Sequence, residues 1–259
     1  MLQKLSKKGM LNMNDELIIG RNPVIEALKS GRSVNKILVS EGINQHARRQ
    51  IEQASRSAGT VIQRAPKNKL DQLANGNHQG VVAYVAAYQY ASLSDLYDRA
   101  RQRNEAPFFI ILDGLEDPHN LGSIMRTADA TGAHGIIIPK RRSVGLTATV
   151  AKTSAGAIEY VPVVRVTNIA DTIEELKAQN IWIVGTEADS KDDYRSLDGE
   201  TSIALVIGSE GKGMSRLVKD KCDWTVSLPM LGKVSSLNAS VASSLLLYEI
   251  YRKRHPFRK

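Results

Sequence analysis

From residue 108 onward, short apolar runs alternate with amphipathic stretches. FFIILD (108–113), HGIIIP (134–139), YVPVVRV (160–166), IWIVGT (181–186), IALVIG (203–208) and WTVSLP (224–229) each have the length and β-branched content of a strand. Between them, 120–131, 147–155, 169–179 and 214–221 carry apolar residues at helical spacing. NASVASSLLLYEIYRKRH (238–255) predicts a closing helix with Asn238 as N-cap. Such alternation predicts an α/β domain, a largely parallel sheet with helices on both faces. Ligands of these sheets sit beyond the carboxyl ends of the strands, so the loops after these runs are where chemistry is expected.

The first 107 residues predict a smaller α/β unit. NPVIEALKSG (22–31) reads as a helix with Asn22 as N-cap, Pro23 in first position and Gly31 as its stop. KILVS (36–40), TVIQRA (60–65) and GVVAYVAAY (80–88) read as strands. NQHARRQIEQASRSAG (44–59) reads as a helix with Ile51, Ala54 and Ala58 on one face and Arg48, Arg49 and Arg56 on the other. SLSDLYDRARQRNEAP (92–107) predicts a capped helix ending at a proline. The expected organisation is a disordered basic leader at 1–13, a small domain at 14–90, a linker helix at 91–107 and a large domain at 108–259.

Composition narrows the classes. Of 259 residues, 42% are hydrophobic and 24% charged, as in an ordinary globular chain. No apolar run approaches the ~20 residues that span a bilayer, and the start lacks a signal-peptide core. The single cysteine, Cys222, rules out an internal disulfide and suits a cytoplasmic protein. The five histidines show no ligand spacing, so no metal is expected. Net charge is +8, with +3 in residues 1–13, +4 in 14–90 and +5 in 252–259, which leaves the rest acidic. Basic ends are either solvated tails or a footprint for a polyanion such as nucleic acid.

Three loops carry unusual residues. LVIGSEGKGMS (205–215) breaks a strand into Gly208, Gly211 and Gly213. It is not a P-loop, because Met214 stands where the lysine belongs, and its glycine order is not that of the dinucleotide fingerprint. With Glu210 inside, the loop suits a neutral or cationic ligand, or it is a tight surface turn. LDGLEDPHNLGSIMRTADATGA (112–133) places Arg126 nearly two turns into a helix starting near Asn120. Amid small residues, such an arginine is expected to have an assigned partner. SLPMLGKVSSLNAS (227–240) places Ser235, Ser236 and Asn238 before the last helix, where capping alone accounts for them.

Together, N-x-G-x-x-x-R (Asn120, Gly122, Arg126), I-G-S-E-G-x-G (207–213) and L-P-M-x-G-x-V-x-S-L-N-A-S-V-A (228–242) resemble the SpoU/TrmH family of RNA ribose 2′-O-methyltransferases. The likeness extends through GRNPVIEAL (20–28) and NHQGVVA (77–83), covers nearly all of 14–255, and looks closest to the RlmB-like 23S rRNA members. It implies a SPOUT methyltransferase domain with a deep trefoil knot around the loops at 208 and 228–240. It also implies a homodimer, S-adenosylmethionine as cofactor, and a small domain similar to ribosomal-protein-like RNA-binding domains. By motif matching, Gly208, Gly211, Leu228 and Leu237, with Thr186, would hold the cofactor. Asn120, Arg126, Glu210, Ser236 and Asn238 would form the catalytic set. Candidate RNA contacts are Arg21, Arg48, Arg49, His78, Lys140, Arg141 and Arg142. The family's proposed base is the arginine matching Arg126, although a guanidinium holds its proton in water. Arg126 as an orienting charge with Glu210 as base is the other expectation. A guanosine of 23S rRNA is the expected substrate; a tRNA ribose, or a non-catalytic role in RNA assembly, are the alternatives.

Overall fold

The computed structural model describes residues 17–29, 31–74, 77–86, 88–233 and 236–257; the 1–13 leader and Ser235 lie outside them. The small domain is built from β1 (Leu17–Ile19), α1 (Arg21–Lys29), β2 (Val34–Ser40), α2 (Gln45–Ser57), β3 (Ile62–Ala65), α3 (Lys67–Leu73) and β4 (Val81–Val85). Its sheet runs β1-β4-β2-β3, with β2–β3 parallel and the other pairs antiparallel. One face packs Ile37 and Val39 against Ile51 of α2 and Val24 of α1; the other packs Leu38 and Tyr84 against Leu70 of α3.

Three local expectations shift here. Helix α1 begins at Arg21, not after Asn22, because Gly20 at φ +99 turns the chain out of β1 and its carbonyl accepts the Val24 N–H. The buried stripe of α2 is Ala47, Ile51 and Ser55, with Ala54 partly covered and Ala58 exposed. Helix α3 and strand β1 had no signal: KNKLDQL buries only Leu70, and three residues are too few for a period.

The large domain holds β5 (Phe108–Asp113), α5 (Pro118–Ala130), β6 (Gly135–Pro139), α6 (Ala148–Thr153), β7 (Val163–Val166) and α7 (Ile169–Ala178). It continues with β8 (Trp182–Thr186), β9 (Ile203–Gly208), α8 (Arg216–Asp220), β10 (Trp224–Val226) and α9 (Ala239–Arg254). All pairs are parallel, in the order β10-β8-β9-β5-β6-β7. The chain lays β5, β6 and β7 to one side, then crosses to the other for β8. The order therefore reverses between β5 and β9, where Asp113 pairs with Gly208. That reversal point is where such sheets bind ligands. After β10 at the sheet edge, residues 227–238 must recross β8 and β9 to start α9, which packs on α5.

Helix α4 (Leu93–Arg103), expected as a linker, is instead part of the large domain's packing. Ser92 and Asp95 form its capping box, and Leu96 is fully buried with Phe109, Ile111 and Ile137. A Cβ on Gly135 would lie 2.5 Å from Leu96 Cγ, so the helix sits directly on the sheet.

The end of this connection is sealed by His134, which is 0% exposed. Its Nδ1 accepts the Phe108 N–H at 3.0 Å, so Nε2 carries the proton and donates to Glu105 at 3.0 Å. Burial outweighs the pull of Glu105 and lowers the ring's pKa from 6.5 to about 4. The unfolded ring takes a proton near 6.5 and the folded one only near 4. Between these values the unfolded state binds the extra proton, so this contribution is full above 6.5 and is lost as the pH falls through the window. His134→Gln is expected to flatten the acid limb of stability against pH between 6.5 and 4 in urea titrations; an unchanged limb would exclude this origin.

Candidate functional site

The three unusual loops meet at one carboxylate oxygen. Glu210 Oε1 accepts from Asn120 Nδ2 at 3.0 Å, Asn238 Nδ2 at 2.5 Å and the Ala239 N–H at 3.1 Å. Asn238 Nδ2 also reaches Asn120 Oδ1 at 3.0 Å. Asn238 is at the same time the N-cap of α9, its Oδ1 accepting from the Ser240 and Val241 N–H groups. The cap reading of Asn238 therefore holds, and the same side chain reaches Glu210 and Asn120. Asn120 is in the first turn of α5, which starts at Pro118 under an Asp117 cap, earlier than expected. It is buried, at 5% exposure, because α5 lies close on α6. Gly122 permits this approach: a Cβ there would fall 2.0 Å from Thr153 Oγ1.

The glycines of 208–213 serve the loop before they serve any ligand. Ser209 and Gly213 exchange backbone hydrogen bonds at 3.0 and 2.9 Å, which folds the loop back on itself. A Cβ on Gly208 would lie 2.2 Å from the Gly213 carbonyl carbon, and Gly211 and Gly213 take φ of +78 and +65. Gly208 is thus required by close backbone approach and the other two by left-handed turns. The Asp113 carboxylate accepts the Ser215 N–H at 2.7 Å and fastens the far side of the loop.

A cavity of about 360 Å³ opens on the α9 side of this loop. Thr186, Gly208, Gly211, Leu228 and Leu237 all line it, with Glu210 and Ser236. The Thr186 hydroxyl is already spent on the Val206 carbonyl, at 3.1 Å. Sequence reasoning missed Glu187, Met230, Ala242 and Leu246 in the same wall. Glu187 directly follows Thr186 at the end of β8, which was the available signal. Apolar walls and backbone edges, with Glu210, Lys212 and a Glu187 already paired to Lys219 at 3.1 Å, fit a part-apolar molecule carrying charges of both signs such as S-adenosylmethionine, in a volume usual for small-molecule sites.

Arg126 is not brought to this cavity. Its side chain is exposed and makes no hydrogen bond or ion pair among the described residues, so the expected partner within the chain is absent. It lies beside the α5–α9 seam, next to Thr127, whose hydroxyl meets that of Ser244 at 3.0 Å. The candidate RNA contacts divide. Arg141 and Arg142 are exposed and Lys140 half-buried, all at the end of β6. Arg49 is exposed, Arg48 is tied to Glu52 at 2.7 Å, and Arg21 lines a separate cleft of the small domain. His78 is corrected: it is buried, Nδ1 accepts the Gly80 N–H at 2.9 Å and Nε2 meets Asp71 at 2.7 Å. It organises its turn and has no ring nitrogen left for RNA. Among the described residues no cluster of His, Cys, Asp and Glu is arranged to hold a metal, and no helix is long and apolar enough to cross a membrane.

Comparison with known proteins agrees with this geometry. Residues 107–248 match the SpoU rRNA Methylase family, and residues 17–91 match the RNA 2′-O ribose methyltransferase substrate binding model. The chain is 60% identical to YacO of Bacillus subtilis strain 168, designated a TrmH family tRNA/rRNA methyltransferase, over 95% of this chain and 99% of that one. Among solved structures it resembles the SpoU methyltransferase AviRb of Streptomyces viridochromogenes in complex with AdoMet. That match has TM-score 0.59 and 30% identity over 93% of this chain and 91% of that one. It also resembles the AdoMet-bound rRNA methyltransferase of Sinorhizobium meliloti, with TM-score 0.58 and 25% identity over 95% and 89%.

Two substitutions test the junction. Glu210→Ala removes an acceptor from three donors and is expected to cost about 1–3 kcal/mol, whereas Glu210→Gln keeps an oxygen there and should retain most of the stability. Thermal unfolding of both distinguishes a staple from a group needed only for its charge. Gly208→Ala is expected to cost about 1–3 kcal/mol by overpacking against backbone and to abolish cofactor binding in calorimetry.

Proposed function

Because the chain belongs to the SpoU/TrmH family of RNA 2′-O-ribose methyltransferases, we propose that its substrate is a guanosine ribose of 23S rRNA and that it acts as a homodimer in the cytoplasm. The chain is an RNA 2′-O-ribose methyltransferase that uses S-adenosylmethionine. The observation that carries the rRNA reading is the likeness, through both domains, to an rRNA methyltransferase, added to the RlmB-like motifs.

When bound, the cofactor would supply a methyl group on a cationic sulfur: its C–S bond would break as the bond to the ribose 2′-oxygen forms, and the hydroxyl proton would pass to the Glu210 carboxylate. The residues we assign to hold it are the backbone at Gly208, Leu228 and Leu237, with Gly211 and Thr186 completing the wall. The recrossing segment 227–238 is the one we take as knotted, which would keep this wall from opening. Holding the hydroxyl in line is worth ~7–11 kcal/mol of barrier by proximity alone. Asn120 and Asn238 are positioned for this by Glu210. Glu210 Oε1 already accepts three hydrogen bonds, so that oxygen is structural in this reading; Oε2, with no hydrogen bond among the described residues, is the atom we assign to receive the proton, and the charge that meets the forming alkoxide is Arg126.

Arg126 must then come from elsewhere than its own cavity. The outer face of α9 exposes Val241, Leu245 and Tyr248 at helical spacing, and Met230 and Leu231 are also exposed. A two-fold contact across this stripe and the adjoining α5 would cover it and carry Arg126 of one protomer to the cavity of its partner.

Arg126→Ala is expected to bind S-adenosylmethionine normally and lose methyl transfer. Mixed with Gly208→Ala, which has no working cavity, it should recover about a quarter of wild-type activity through heterodimers; no recovery would place Arg126 with its own chain's cavity. For the substrate, labelled S-adenosylmethionine is offered with unmodified 23S rRNA and with bulk tRNA. One site resistant to alkaline cleavage in 23S rRNA is the expected result, and transfer to tRNA alone would replace the rRNA reading.

A further inference from the structure

The two domains meet at a cleft of about 630 Å³ whose charge differs from that of its neighbour. Lys36 of the small domain and Lys140, Arg141, Arg142 and Arg165 of the large one line it, against one carboxylate, Glu116, among the described residues. The adjoining cleft, about 760 Å³, leads to the 209–213 loop and sets Arg141, Arg142 and Lys212 against Asp113, Glu116, Asp117 and Glu210. A polyanion is drawn more strongly to the first than to the second. The clefts share Glu116, Arg141 and Arg142, so a chain leaving the first enters the second beside Asn120.

The cleft has fixed walls. A register shift between Val34 and Lys36 marks a bulge at Asn35, and bulges re-aim side chains. Asn35 accepts from the Tyr90 hydroxyl at 2.5 Å and donates to the Leu146 carbonyl at 3.3 Å, while Tyr90 in turn accepts the Leu146 N–H at 2.8 Å. Arg165 donates to the Val34 and Asn35 carbonyls at 3.1 and 2.8 Å and lies 4.9 Å from the Tyr90 ring centre. Gly145 admits this joint, since a Cβ there would sit 2.5 Å from Asn35 Oδ1. In the cleft wall, Arg142 is exposed and makes no hydrogen bond or ion pair among the described residues.

We propose that this interdomain cleft seats the phosphate backbone of the RNA strand that carries the acceptor ribose, the small domain contributing Lys36 and not the arginine face of α2. Lys36 pairs in register with Tyr84 and lies 4.7 Å over its ring, on the α3 face of the sheet. Helix α2, with Arg48 and Arg49, covers the opposite face. The joint fixes the small domain against the large one, and the shared Arg141 and Arg142 would hand the strand to the 209–213 loop. This rests on reading the substrate as RNA, 23S rRNA in the first instance.

The test is binding of a 23S rRNA transcript, and separately of tRNA, to the full-length protein across a salt series. Lys36→Ala and Arg142→Ala are each expected to weaken binding about tenfold and to reduce the slope of log affinity against log salt by about one. Lys36→Arg should retain binding, cofactor affinity should be unchanged in all three, and Arg49→Ala should change neither slope nor affinity. Loss confined to Arg49→Ala, or wild-type slopes in Lys36→Ala and Arg142→Ala, overturns the proposal. Cleft-dependent binding and methylation of tRNA alone would overturn the 23S reading and leave the cleft standing. Methylation of 23S rRNA with binding indifferent to the cleft would do the reverse, and binding of neither RNA would overturn both.

Discussion

A single carboxylate oxygen holds together three loops that lie far apart in the chain. Glu210 Oε1 takes donors from α5, from the loop before α9 and from the first N–H of α9 itself. A helix N-terminus carries unsatisfied N–H groups and a positive end, and a carboxylate placed there is favoured on both counts. The position also explains why an acidic residue belongs inside a glycine-rich loop that would otherwise look built for phosphate. The loop must fold back tightly to deliver Glu210 to that point, and the glycines exist to let it. Without this junction the cavity wall has no reason to close, since two of its three segments are irregular.

The architecture follows from how neighbouring constraints share space. Asn120 can reach Glu210 only because α5 lies close on α6 through Gly122 and Thr153. The N-terminus of α6 lies against the interdomain joint, where Leu146 and Thr147 follow Gly145. The same packing thus runs from the small domain to the 208–213 loop through contacts, at Gly145 and Gly122, that a single added methyl group would break.

Much of this was legible in the chain. The six strands of the large sheet are apolar runs because both faces are buried, and their parallel order follows from the helices between them. Motif resemblance, and not periodicity, named Thr186, Gly208, Gly211, Leu228 and Leu237, which the fold brings to one cavity. What was not legible has definite causes. Helix α3 buries one leucine, so no stripe forms. Gly20 displaces the start of α1 by backbone conformation, which the Asn-Pro signal cannot show. His78 was named as a candidate RNA contact within a stretch that carries the family resemblance, and a motif does not show that the ring is buried against Asp71 of another element. A helix that covers a sheet face and a helix that bridges domains present the same amphipathic pattern, and it is Leu96 against Gly135 that places α4 on the sheet.

Arg126 is where the limits of one chain become a physical argument. A buried or half-buried arginine without acceptors would be costly, and the fold avoids that cost by leaving it exposed on the α5 surface. Its neighbour α9 leaves an aliphatic and aromatic stripe exposed on the outside, which costs free energy in water unless something covers it. Both features have the same remedy: a surface that covers the stripe and supplies the arginine with an anionic or polar target. On the proposed two-chain reading the remedy is one contact, with one chain providing the cavity beside Glu210 and the other bringing Arg126 to it.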